Sequence, residues 1–481
     1  MDDAAILGGK IKALRKREAL SQVDLAAKLG ISPSYLNLIE SNKRPVTAAV
    51  LLRLATTFKV DLASFVATSD AQLGADVAEV MHDPIFEGLG LSEQDARELV
   101  ADKPGMGRAL LTLYRAYVSE KQSAQALADR VGQDGAGAGS AGLPSEEVSD
   151  FIQRNRNHFP ALEAAAERVY REEEIDPDDI YAGLVRCIGK RHGVTVRLLR
   201  VADERKAMRR FDAERKVLSI SEVLPPRSRR FQVAHQLGLL EADSDLNEIL
   251  KDAPELTSTE AHALARVALA NYFAAAVVMP YEPFLEAARA ERYDIELLGH
   301  RFGASFEQVC HRMTTLGRPG REGVPFHLMR IDIAGNISKR FSASGIRIAR
   351  FSGACPRWNI HTSFMTPGLI RVQVSRMPDG AVFFCIARTL RSDRGGYNVP
   401  HTVQAIGMGC EVRRARELVY SDGVDLDHLE SAVPVGVTCR TCEHLDCAQR
   451  AFAPLLYPLK IDENVRGVSF YSPVSSLKGS R

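Results

Sequence analysis

The chain has 481 residues, 45% of them hydrophobic and 26% charged, with a net charge of +1. That length exceeds a single core and sets an expectation of roughly two to four domains. The balanced charge argues against a polyanion-binding surface along the whole chain. The greasiest run, "VALANYFAAAVVMP", reads as too short to span a bilayer and carries Asn271.

The opening "MDDAAILGGK" is acidic and lacks the apolar core of a secretory leader, so the expectation is a cytoplasmic chain. Its eight cysteines should then stay reduced, and a tight Cys cluster reads as metal or redox chemistry rather than a disulfide.

Residues 1–66 come first. The first sixty hold ten Lys and Arg against five acids, the one local charge excess that suits nucleic acid. Apolar pairs recur at helical spacing: Ile11 and Leu14, Leu25 and Leu29, Leu36 and Ile39, Leu51 and Leu54. Ser21 is placed to cap "QVDLAAKL" and Gly30 to close it. Ser32 then caps "PSYLNLIESN", with Pro33 at the first helical position, where its missing N–H costs nothing. Helix, glycine turn, helix is a helix-turn-helix layout, whose second helix enters the major groove of double-stranded DNA.

Its linked features, Gln22, "LA", "GIS", and "IE" followed by "NKRP", resemble the Cro/repressor-like, XRE-type helix-turn-helix. The resemblance implies that Gln22 touches a backbone phosphate. It implies that Ser32, Pro33, Ser34 and Asn37 open the reading helix, and that Lys43 and Arg44 meet phosphates. Pro33 is a poor base reader, which shifts specificity towards Ser34 and Asn37.

Residues 67–131 read as a helical spacer: a helix from 91, a break at Lys103–Gly105, then a long amphipathic helix with Leu110, Leu113, Tyr114 and Tyr117 on one face. Such a helix suits dimerisation, so the expected assembly is a homodimer or higher homo-oligomer. Residues 132–149, beginning "GQDGAGAGSAGLP", read as a flexible linker.

Residues 150–315 give two helices, a strand at 193–199, a hairpin around "MRRFDAERKVLSISEV", and two further helices. "RFQVAHQLGLLE" and "ANYFAAAVVMP" resemble the IrrE-like metallopeptidase domain. A working zinc helix reads His-Glu-x-x-His, two imidazoles one turn apart with a glutamate to activate water. Here His235 is kept, but Gln236 and Leu239 replace the glutamate and the second His. Val267, Ala268, Leu269 and Ala270 occupy the stretch where the active family completes its metal site. A carboxamide takes no proton from water at neutral pH, so the expectation is no catalytic residue and no enzyme. What is left is a cleft, greasier than before. Arg209, Arg210, Arg229 and Arg230 lie near His235 and Gln236 in sequence, and as a group they could grip phosphates of an anionic ligand.

Residues 320–481 alternate in period two with turns at "AGN" and "PDG", the pattern of hairpins. "GVTCRTCEHLDCAQRA" places Cys439, Cys442 and Cys447 within nine residues. A tetrahedral zinc or a 4Fe-4S cluster needs a fourth ligand, for which Cys355 in "GACPRWNIH" and Cys410 in "GMGCEV" are candidates. His361 or His444 would favour zinc. Cys187, Cys310 and Cys385 read as small buried residues.

Taken together, the fold class is multidomain α+β: an all-α head, a helical spacer, an α+β zincin-derived domain and a β-rich C-terminal domain. "GACPRWNIH", "GMGCEV" and "CRTCEHLDCAQRA", beside "AHQL" and the DNA-reading head, resemble the short-chain fatty acyl-CoA regulators of bacteria. The resemblance implies a transcription factor of propionyl-CoA or acetyl-CoA metabolism, with an acyl-CoA effector and, in some relatives, an iron–sulfur cluster in the tail. Two rivals remain at this point: a primarily redox-sensing iron–sulfur regulator, and an active zinc peptidase.

Overall fold

The structure is a computed structural model. It describes residues 11–12, 14–15, 18, 20–40, 44, 46–58, 69–86, 89–131, 144–200, 207–349, 354–392, 401–440, 442–454, 469 and 471. Two compact units are present, residues 1–140 and 141–481.

The first unit opens with α1 (Gln22–Leu29), α2 (Pro33–Glu40) and α3 (Ala48–Phe58). Ser21 and Asp24 form a capping box at the start of α1, and Gly30 closes it with φ of 62°. The Ser32 hydroxyl accepts the Tyr35 N–H at 3.1 Å, capping α2. Leu25, Leu29, Leu36, Ile39 and Leu54 join Ile11 and Leu14 in one buried core, as the periodicity predicts. α4 (Ser69–Met81), α5 (Glu93–Asp102) and α6 (Pro104–Val131) pack together as a second helical group. The helix break falls at Lys103, where expected. The apolar face expected on α6 divides in two: Tyr114 is buried and Leu113 is 69% exposed. One residue turns a helix by about 100°, so 113 and 114 cannot share a partner.

The second unit begins with α7 (Pro144–Arg154), which occupies residues 144–149 of the expected linker. Residues 132–143 lie outside the described residues. Then come α8 (Pro160–Glu172) and α9 (Ile180–His192). A three-stranded sheet follows: β1 (Thr195–Leu199), β2 (Arg209–Asp212) and β3 (Val217–Ser221), in spatial order β1-β3-β2. β1 runs parallel to β3, and β2 is an antiparallel edge. Leu218 and Ile220 face the core, as their alternation predicts. α10 (Pro226–Glu241) is the helix of the emptied motif. It precedes α11 (Asp243–Lys251), α12 (Thr259–Val278), α13 (Tyr281–Ala290), α14 (Ile295–Arg301) and α15 (Phe306–Met313).

α12 corrects one expectation. The greasy run belongs to a twenty-residue helix, long and apolar enough by composition to cross a membrane. Most of its apolar window is instead buried within the unit, where Phe273, Ala274 and Val277 sit in the main core.

A six-stranded sheet completes the unit, in order β5-β4-β8-β7-β6-β9. It comprises β4 (His327–Asp332), β5 (Ile337–Ser342), β6 (Arg371–Arg376), β7 (Val382–Ser392), β8 (Thr402–Glu411) and β9 (Val433–Pro434). The short helix α16 (Asn359–Thr362) lies between β5 and β6. One face of this sheet, through Phe384, Ile386, Ile406 and Met408, enters the same core as α10 and α12. The stretches read as separate domains at 150–315 and 320–481 therefore share a core. The other face packs on Trp358, Ile360 and Cys355. The edge of β5 is covered by α7, where the Gln153 amide both accepts from Ser342 N–H (3.0 Å) and donates to Ser342 C=O (2.7 Å). A buried ion pair ties α8 to α15: Arg312 meets Glu163 at 2.5 and 3.0 Å, and Tyr272 donates to the same carboxylate at 2.7 Å. Burial works against the Glu163 charge, but the guanidinium outweighs it and holds the carboxyl below its ordinary range.

Candidate functional site

The emptied peptidase motif lies mid-way along α10. Six consecutive residues there, Val233 to Gly238, are buried. A helix buried on all sides sits at the centre of its layer. Gly238 makes this possible, because a Cβ at that position would stand 2.7 Å from the Phe273 ring on α12.

His235 faces α12, where its Nδ1 meets Asn271 Oδ1 at 2.8 Å. Its Nε2 is buried and has no partner. Burial, with the Arg209 charge adding to it, pushes this imidazole down to about 4. It is therefore neutral at pH 7, with Nδ1 as donor to the amide oxygen and Nε2 as a free acceptor. Leu239, in the place of the second His, packs against the main core. Asn271 was visible in the sequence as a polar residue inside an apolar helix, a signal of a buried hydrogen bond.

The structure divides the arginines expected to act as one group. Arg209 and Arg210 are neighbours on β2, so their side chains point to opposite faces. Arg209 is half-buried near His235, with an unpartnered Nη1. Arg210 lies on the exposed face, opposite Ser219 across the strands. Arg229 is committed to backbone: it donates to Leu224 C=O at 2.6 Å and to Glu222 C=O at 2.8 Å, bracing the turn before α10. Arg230 donates to Phe302 C=O at 2.6 Å, while its Nε is buried without a partner. Gln236 is buried.

Arg230 does line a cavity, of about 490 Å³, at the N-terminal end of α10. Arg227, Tyr181 and His300 line it too, and Asp178 and Asp179 enter from the start of α9. Tyr181 and His300 carry no sequence signal as ligand residues, because nothing local in the sequence joins 181, 227 and 300.

In the tail, Cys439, Cys442 and Cys447 are half-buried on one loop. Cys355 joins them because its N–H donates to Val437 C=O at 3.1 Å. Burial pushes the Cys355 thiol up to about 11, and the neighbouring Cys439 and Cys442 push in the same direction. Cys410 is elsewhere, buried on β8 beside Cys385. Gly436 passes so close to Cys442 that a Cβ would fall 2.6 Å from its Sγ. Arg450 is buried and donates to the carbonyls of Cys439 (2.6 Å), Cys442 (2.7 Å) and His444 (3.0 Å). Arg357 reaches to 4.0 Å of Cys447 Sγ. His444 Nε2 and His361 Nε2 are both buried and unpartnered, but His361 lies beside the β4–β5 turn at Gly335. Among the described residues, no three His, Cys, Asp or Glu side chains are disposed to hold a metal ion.

In the head, Ser32, Pro33, Ser34, Asn37 and Arg44 are exposed, and Lys43 lies outside the described residues. Gln22 has its amide nitrogen engaged within the head, 2.8 Å from Glu40 and 3.4 Å from Asn37 Oδ1. Glu40 is buried and also holds Arg15 at 2.7 and 3.0 Å. Gln22 thus orients the exposed Asn37.

Comparison with known proteins agrees with this architecture. Residues 11–65 match a helix-turn-helix family model, 190–314 the IrrE N-terminal-like domain, and 315–471 the short-chain fatty acyl coenzyme A regulator C-terminal domain. The HTH-type transcriptional regulators RamB and PrpR of Mycobacterium tuberculosis are 40% and 39% identical over 97% of this chain, covering 98% and 95% of their own lengths. The propionyl-CoA carboxylase regulator of Cereibacter sphaeroides is 38% identical over 97% of this chain and 98% of its own. A solved structure described as a Mycobacterium tuberculosis transcriptional regulator superposes with a TM-score of 0.66 at 42% identity, over 69% of this chain and 99% of that one. A peptidase helix without its glutamate and second histidine, joined to a DNA-reading head, is in keeping with these relatives, and the chain belongs to the short-chain fatty acyl coenzyme A regulator family of helix-turn-helix transcriptional regulators.

Proposed function

We propose that this protein is a cytoplasmic regulator that binds operator DNA through its head and senses propionyl-CoA or acetyl-CoA through its second unit. The observation that carries the effector reading is the cavity at the start of α10. Its volume of about 490 Å³ suits a small ligand. Arg227 and Arg230 supply positive charge at the start of a sixteen-residue helix, whose dipole also favours an anion such as phosphate. Asp178 and Asp179 would accept from ribose hydroxyls or an exocyclic amine.

Calorimetric titration of the full chain with propionyl-CoA tests this placement. Arg227 is exposed, so Arg227→Gln leaves the fold intact; it should weaken binding about tenfold, the worth of one charge-assisted contact. Unchanged affinity would move the effector elsewhere.

The cysteine centre supports a second element of the reading. Cys355, Cys439, Cys442 and Cys447 supply the four thiols that an iron–sulfur cluster takes, and binding would have to draw together side chains that share no ion position in this structure. A cluster bound there supplies redox sensitivity or holds the tail's fold. Arg450, buried with three carbonyl oxygens, and Arg357 beside Cys447 place positive charge next to sulfurs that would otherwise repel one another as thiolates. The His444 ring favours zinc as the alternative occupant. Iron analysis after anaerobic purification separates them. Cys355→Ser should lower iron content and Cys410→Ser should not; equal loss from both would reject Cys355 as the fourth ligand.

A further inference from the structure

The reading helix α2 turns Pro33, Ser34, Asn37 and Leu38 outward and buries Leu36, Ile39 and Glu40. A chain of polar contacts with a fixed direction ends on its outer face. Arg15 donates to both oxygens of Glu40, at 2.7 and 3.0 Å. Burial opposes the Glu40 charge, but Arg15 outweighs it and holds the carboxyl below its ordinary range. An ionised carboxylate only accepts hydrogen bonds. The Gln22 amide, 2.8 Å away, must therefore turn its nitrogen towards Glu40. That nitrogen carries two hydrogens, and the second donates to Asn37 Oδ1 at 3.4 Å. Asn37 is left with its NH2 group facing out, a donor without an acceptor beside it.

We infer that Asn37 and Pro33 together read one thymine of the operator, and that Glu40, acting through Gln22, fixes this choice. The major-groove edges of the four bases decide it. Cytosine presents a donor, which would meet the Asn37 donors head on. Adenine presents an acceptor beside a donor, and reading both needs the amide oxygen that Gln22 already holds. Guanine and thymine present acceptors, and only thymine sets a methyl group beside its own. Pro33 lies one turn before Asn37 on the same exposed face. Its ring has no hydrogen bond to give, and it supplies the apolar surface for that methyl. Thymine O4 accepts from Asn37 Nδ2 while the 5-methyl packs on Pro33. Glu40 and Gln22 are positioning residues here, since they set which edge of Asn37 faces the base.

This assignment takes the head to bind DNA as proposed above. Anisotropy titration of the full chain on its promoter DNA at fixed salt tests it, with each thymine of the bound site replaced in turn. Deoxyuridine removes the methyl and keeps O4. Replacement by 5-methylcytosine, paired with guanine, keeps the methyl and turns the acceptor into a donor. At one thymine or more, deoxyuridine should weaken binding about fourfold, the worth of one methyl. At the same position 5-methylcytosine should weaken it about tenfold or more. Pro33→Ala should abolish the first loss and Asn37→Ala the second, and both positions are exposed, so the head stays folded. Gln22→Leu frees the Asn37 amide to turn over and pair with adenine. Exchange of that thymine for adenine should then cost about fivefold less than in the parent. Loss of a phosphate contact or of stability would lower affinity for both sequences alike and leave that ratio unmoved. No thymine that responds to both analogues, or an Asn37→Ala protein that keeps the full 5-methylcytosine loss, overturns the thymine reading. An unchanged preference for thymine over adenine in Gln22→Leu overturns the role of Glu40 and Gln22. A parent that does not bind the promoter DNA at all sinks the DNA-reading head itself, and the thymine assignment with it.

Discussion

His235 stands where a peptidase of this fold would bind its metal, and its surroundings keep the ring neutral. Its pKa is pushed down to about 4 by burial and by Arg209. His327, buried against Ser344 and Cys385, is pushed down to about 3 by burial. In the unfolded chain both titrate near 6.5. Between these limits the unfolded state binds more protons, so stability must fall as pH drops. Urea unfolding of the second unit's transition should therefore lose stability from about pH 6.5 down to about pH 4. His235→Leu should remove part of that slope, worth roughly 3 kcal/mol over the window. An unchanged slope in His235→Leu would show that this ring is not buried as described. The sequence alone disclosed the loss of the glutamate and the second His, because a motif is read position by position. Asn271 as the partner of His235, and Arg450 over the cysteine loop, were not legible. Asn271 is 36 residues from His235 with no periodicity to link them, and Arg450, though close to the cysteines in sequence, folds back onto their carbonyls in a loop without a regular repeat.

The elements were more legible than the contacts between them. Caps at Ser21, Ser32 and Gly30 and the alternation in β3 and β4 are local signals, and local signals fix where a helix or strand begins. What side a residue faces is harder. Arg209 and Arg210 look alike in sequence, but strand geometry sends one inward near His235 and the other outward. Tyr114 and Leu113 are divided in the same way by helical rotation. α10 crosses α12 closely at Gly238. Gly238→Ala would drive a methyl into the Phe273 ring, at 2.7 Å, and should cost about 1–3 kcal/mol while displacing His235 from Asn271. The denaturation midpoint checks this; a neutral effect would mean that the two helices can part at little cost.

At the scale of the molecule, the second unit joins two family domains through one core. α10 and α12 of the peptidase-derived part pack in the same core as Phe384, Ile386, Ile406 and Met408 of the six-stranded sheet. Arg330 of β4 bonds Glu307 at 2.8 Å, and Arg388 of β7 bonds Glu296 at 2.7 Å. A ligand at the start of α10 thus bears on elements that share a core with the cysteine-bearing tail. A shared core gives sensing a physical route, provided that ligand binding favours one arrangement of the chain over another. The boundary near residue 315 was legible as a change from helical to alternating pattern, but a change of pattern says nothing about whether two parts fold around one core.

On the function proposed above, a peptidase scaffold without its catalytic groups conveys acyl-CoA status to an operator-reading head. Fluorescence anisotropy of the full chain on its own promoter DNA, with and without propionyl-CoA or acetyl-CoA at fixed salt, tests it most directly. DNA affinity should change about fivefold or more with at least one thioester. Identical affinity with every acyl-CoA, from a protein that binds the DNA well, would contradict it.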